Sequence, residues 1–133
     1  MGILDRFRKQ KKEEAIEEVK EIITNLEKLC GDDKEVYESL VNTMFLDPRK
    51  IDTSMEEAAK KAEDFEKAKD FMRAMIWYET AGGLAIWKGD VKKVVEFFSK
   101  CEKISPNIRY SILKNPEKAT AKAKEYYQKY PKE

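Results

Sequence analysis

Histidine is missing altogether from the 133 residues of this chain. Its absence removes Ser-His-Asp and Cys-His nucleophilic catalysis, and with them the Glu-x-x-His di-iron motif. Cysteine occurs twice, at Cys30 and Cys101. Two thiols are too few for a structural zinc site, and their separation allows neither a Cys-x-x-Cys pair nor a disulfide framework. Both are expected as small, buried, reduced side chains of a cytoplasmic protein; a redox or cross-linking role is the alternative. No Walker or dinucleotide-binding glycine pattern occurs, since Gly82-Gly83 has no phosphate-loop context. No cofactor is therefore expected. Long apolar runs are also missing: residues 74–87 come closest, but they are too short and Glu79 interrupts them. Net charge is only +1, so no global field draws the protein to nucleic acid or to membranes. Glutamine appears only at Gln10 and Gln128 amid abundant Lys and Glu, a composition that matches heat-adapted proteins.

What is present is helical periodicity in a chain that is 41% hydrophobic and 40% charged. The length suits one domain with a core of its own. Residues 1–12 form a basic lead in which Ile3, Leu4 and Phe7 precede or interleave with Arg6, Arg8, Lys9, Lys11 and Lys12. No apolar core region follows these charges, so a signal peptide is not expected. A frayed terminus or the first turns of a helix is the plain reading, and a weak contact with anionic lipid the alternative. Residues 13–46 read as a helical hairpin. Ile16, Val19, Ile22, Ile23, Leu26, Leu29 and Cys30 make the first stripe, over about 11–30, and Val36, Tyr37, Leu40, Val41, Met44 and Phe45 the second, over about 33–46. Gly31 stops the first helix, Asp32 or Asp33 caps the second, and Asp47-Pro48 ends it.

Residues 54–104 carry three further helical patterns with little spacing between them. Thr53 or Ser54 caps the first, with Glu56 or Glu57 at capping-box distance, and Met55, Ala58, Ala59, Ala62 and Phe65 face inward. Asp70 caps the second, which holds the longest weakly charged run of the chain. Gly82 and Gly83 sit inside it at about 1 kcal/mol each relative to Ala, which points to close helix approach. Gly89-Asp90 ends that helix and starts the third, where Val91, Val94, Val95, Phe98, Cys101 and Ile104 point inward. A C-terminal segment, 107–130, starts its helix at Asn115-Pro116 and carries Tyr126, Tyr127 and Tyr130 among lysines. The tyrosines are expected to seal the core.

The middle of the chain resembles the tetratricopeptide repeat. Tyr78, Ala81, Gly82, Ala85, Gly89, Asp90, Val94, Phe98, Cys101 and Pro106 follow that family's spacing, with Val94 and Cys101 where alanine is usual and Tyr78 where Trp is usual. A second register runs through Ala62, Phe65, Asp70, Ala74, Tyr78 and Ala81. The two overlap, because Asp70 and Asp90 are only twenty residues apart. A tandem repeat needs about 34. The likeness over residues 54–107 is thus to one three-helix unit, as in microtubule-interacting-and-trafficking domains. It implies an all-α fold, a compact antiparallel bundle or short right-handed stack of about six helices.

The resemblance also implies a groove for a peptide or partner helix, which would make the chain a non-enzymatic interaction module or small adaptor. In that register Ile76, Glu79, Gly83, Ile86 and Trp87 face the groove, the alternative being that they are core, which we prefer for Ile76. Glu79 is a lone acid in an apolar helix: it pairs with a buried Lys or Arg, Arg73 being the nearest candidate, or it opens onto the groove. The carboxylates Glu13, Glu17 and Glu21 are expected to form a solvated face. Two other classes stand against the adaptor. One is a nucleic-acid-binding protein using the basic termini, with lysines and tyrosines of the last helix on a single strand. The other is a ligand carrier or an enzyme without a visible catalytic motif. Oligomeric state is left open.

Overall fold

Four of the helix starts marked in the sequence carry the hydrogen bond that N-capping requires. In each, the cap side chain accepts the backbone N–H three residues on: Asp33 from Val36 at 3.2 Å, Ser54 from Glu57 at 3.1 Å, Asp70 from Arg73 at 3.3 Å and Asp90 from Lys93 at 3.2 Å. The computed structural model describes residues 3–44 and 48–130. Over these residues the chain forms six α-helices and no strand: α1 (Ile3–Cys30), α2 (Lys34–Val41), α3 (Met55–Lys67), α4 (Phe71–Lys88), α5 (Val91–Ile104) and α6 (Pro116–Lys129). Short 3-10 turns at Pro48–Lys50 and Ser111–Lys114 join them.

Two helix lengths differ from expectation. The first helix begins at Ile3 and takes in most of the basic lead. Residues 5–14 are mostly Arg, Lys, Gln and Glu, good helix formers with no breaker among them, so the helix runs on. The side chains of the lead lie outside the described residues, as does Phe45. The second helix ends at Val41, short of 46, where Asn42 and Thr43 turn the chain. Glu13, Glu17 and Glu21 lie exposed on α1, and Glu17 reaches Lys20 at 3.7 Å.

Positive φ marks the tight ends. Gly89 closes α4 at φ 74°, where its own N–H and that of Asp90 return to the carbonyls of Ile86 and Ala85. The α3–α4 link does the same with Lys69 at φ 63°. Links this short make α3, α4 and α5 antiparallel neighbours.

The α4 helix is the hub. It packs against α3 and α5 along its length and also meets α6 and the Pro48–Lys50 turn. Small residues carry these contacts: Ala58 and Ala62 on α3, and Ala74, Ala81 and Ala85 on α4 are fully buried. Gly82 has a stricter reason. A Cβ there would sit 2.6 Å from the Phe98 ring of α5, so the glycine is a notch that Phe98 fills. Tyr78 is buried beside it and donates its hydroxyl to Glu66 at 2.6 Å, tying α4 to α3. Leu26, Val36, Leu40 and Ile112 extend the core toward α1 and α2. Cys30 and Cys101 are both buried and unbridged. Tyr126 is buried on α6, with Tyr127 and Tyr130 half-buried around it, so the tyrosines do close the core.

Candidate functional site

The face of α4 that carries Ile76, Glu79, Thr80 and Gly83 is left partly open. Thr43 from the end of α2, Ile51 beyond the 3-10 turn and Phe98 from α5 rise around it to enclose a cleft of about 140 Å³. Local rules explain the geometry. Residues 76, 79, 80 and 83 recur at three- and four-residue steps and so share one side of a helix. Gly83 contributes no side chain, and a Cβ there would meet only the Thr43 carbonyl oxygen, at 3.9 Å. The floor is therefore low at that point. The cleft is well below the roughly 300–1,000 Å³ that holds drug-sized ligands. It has room for one long side chain.

Among the described residues, Glu79 is the only ionisable group that lines this cleft. Burial pushes its carboxyl above the ordinary glutamate range, and a hydrogen bond from the Tyr110 hydroxyl offsets part of that rise. Among the described residues, no cationic side chain acts on it. Arg73, the partner the sequence suggests, instead reaches Asp70 at 3.5 Å and stacks over the Phe65 ring at 5.5 Å. It lies more than one helical turn from Glu79, and its own cap residue is nearer.

Behind Glu79, the Tyr110 hydroxyl also faces the Cys101 thiol. Burial, and next the Glu79 charge, push that thiol up to about 12. Burial likewise raises the Tyr110 phenol, and the neighbouring thiol and carboxyl raise it further. Cys101 thus stays a protonated thiol with no solvent exposure, the opposite of a reactive cysteine.

The five residues assigned to a groove separate in space. Glu79 and Gly83 line the cleft together. Ile76 joins them and is 55% exposed, which corrects its placement in the core. Ile86 is 1% exposed and cannot line a groove. It falls on nearly the same side of α4 as Glu79, but at the end of the helix that α6 covers. Trp87 is exposed, yet it belongs to a different groove, of about 350 Å³, that it shares with Lys88, Thr120 and Lys124.

Thr43, Ile51, Phe98 and Tyr110 complete the surroundings of Glu79 and come from segments that no sequence period connects to α4. Only Ile51, a lone apolar residue in a polar linker, carried a local signal. Among the described residues, no helix is long and apolar enough to cross a membrane, and no group of three or more potential ligands is placed to hold a metal ion. Comparison with protein-family models, curated proteins and solved structures finds no match to this chain.

Proposed function

We propose that this chain is a non-enzymatic protein-interaction module, a small adaptor of the cytoplasm, whose cleft beside α4 receives a peptide or helix of a partner protein. One observation carries the reading. Met72 and Ile76, 78% and 55% exposed, lead along α4 into the cleft at Glu79 and Gly83, on the same helix whose later turns are core. Exposed apolar side chains at helical spacing beside a concave, mostly apolar site are what helix-in-groove recognition uses. The three antiparallel helices α3, α4 and α5, with their small-residue contacts, support a tetratricopeptide-like unit as the scaffold. The inert Cys101 and the small cleft favour binding over chemistry.

The test is selection of linear peptides from a random displayed library on the folded protein, followed by affinity measurement on two variants. Gly83→Leu fills the cleft, and Ile76→Asp places a charge at its mouth. Peptides that lose at least about tenfold in affinity on both variants, with helical circular dichroism unchanged, support the proposal. Failure to select any peptide, or selected peptides indifferent to both substitutions, overturns it.

A further inference from the structure

The polar groups of the cleft are uniform in one respect. Thr43 donates its hydroxyl proton to the Ser39 carbonyl at 2.7 Å, and Thr80 donates its own to the Ile76 carbonyl at 2.8 Å. What their oxygens still offer is lone pairs. The Thr43 backbone carbonyl near Gly83 is an acceptor as well. Glu79 faces the Tyr110 hydroxyl and retains acceptor capacity, with no Lys or Arg among the described residues acting on it. The remaining lining, Ile51, Ile76, Phe98 and Gly83, is apolar or bare. Among the described residues, the cleft is therefore apolar in its walls, acceptor-only in its polar groups, and holds one carboxylate without a counter-ion.

We propose that its occupant is a cationic side chain, a lysine or arginine carried by the partner peptide, with the ammonium or guanidinium head on Glu79 and the aliphatic stem along Ile51, Ile76 and Phe98. Three features of the cleft select this chemistry. A guanidinium or ammonium has donors and no acceptors, so it complements a site whose described polar side chains offer acceptors and no free donor. Its long stem is apolar and suits the walls. A half-buried carboxylate without a counter-ion is costly, and an incoming cation offsets that cost, whereas an acidic side chain adds to it and a neutral one leaves the charge unbalanced. The cleft volume matches one such side chain and not a free cofactor.

This inference rests on the cleft being a peptide-binding groove, and the experiment separates the two. The probes are n-butylguanidinium and n-butylammonium, with n-butanol as the neutral analogue, each titrated into the isotope-labelled full chain while amide resonances are followed. The same titrations are run on Glu79→Gln, which keeps the shape and an acceptor for Tyr110 but removes the charge. The expected result is saturable shifts for residues 76–83, Thr43 and Ile51 with the two cations, weakened about tenfold in the variant, and much weaker shifts with butanol. Butanol binding as tightly as the cations, or cation binding unchanged in Glu79→Gln, overturns the cationic occupant and leaves the apolar groove standing. Absence of any saturable shift at the cleft with all three probes overturns both. A native-like spectrum of the variant, recorded before titration, shows that the comparison is between folded proteins.

Discussion

Ile76 and Ile86 belong to the same helix, ten residues apart, and the solvent sees one and not the other. Over the first turns of α4, Phe71, Met72 and Ile76 are exposed; over the last, Leu84, Ala85 and Ile86 are buried. Composition does not separate the two halves. What does is what lies across from them. The far end of α4 meets α6, as the groove shared by Trp87, Lys88, Thr120 and Lys124 records, while around Ile76 the segments carrying Thr43 and Ile51 leave a cleft open. A helix can thus be apolar on most of its circumference and still hold an open face, because cover is supplied turn by turn.

The sharpest way to break this contrast is to make one substitution at both places. Ile86→Ala is expected to lose about 2–5 kcal/mol of unfolding free energy, since it empties a filled site. Ile76→Ala should stay within about 0.5 kcal/mol, as surface changes do. Urea denaturation of both variants checks the pair, and equal losses would mean that Ile76 is covered in solution.

The adjacent glycines supply a finer contrast of the same kind. Gly82→Ala drives a methyl group into Phe98, and overpacking of this sort costs about 1–3 kcal/mol. Helix propensity returns only about 1 kcal/mol, so a net loss is expected. Gly83→Ala meets no obstacle and should gain about 0.4–1 kcal/mol, the opposite sign one residue along the chain. Melting temperatures of the two variants, compared with the wild type, decide it.

The smallest expected effect concerns Glu79, and its sign follows from linkage. Its folded carboxyl lies above the ordinary range because burial disfavours the charge. Its contribution to stability is therefore complete below the ordinary glutamate value and is lost as pH rises through the higher folded value. Glu79→Gln, neutral at every pH, should melt higher than the wild type at neutral pH, with the gain shrinking as the pH falls through the raised folded value toward the ordinary glutamate value and gone below it. Thermal melts across that window read the difference, and a gain that persisted undiminished in acid would point to packing instead of charge.

Helix boundaries were legible wherever local chemistry set them. Ser54, Asp70, Asp90 and Gly89 act where the sequence places them, because caps and left-handed stops depend on residues within four positions. The all-α architecture followed from the same local signals. The extent of α1 was not legible, since nothing in residues 5–14 marks a start. Glu79 stood out as the one acid in an apolar helix. Its surroundings did not, because Thr43, Ile51 and Tyr110 reach it across 28 or more residues of chain and the signal for each is tertiary. The same distance hid the fate of Ile86: its period matches that of Glu79, and only the position of α6 tells them apart.

Phe98 has two sides, and each faces a different requirement. One edge fills the notch at Gly82 and sets how closely α5 approaches α4; the ring also walls the cleft at Glu79. A change that merely retunes the interior, such as a methyl group at position 82, must push the ring and so reshape the mouth of the cleft from behind. Interior and binding surface are in this sense not independent variables for this chain. A lineage that alters its core at this point also alters what it can bind, without any substitution among the residues a partner would touch.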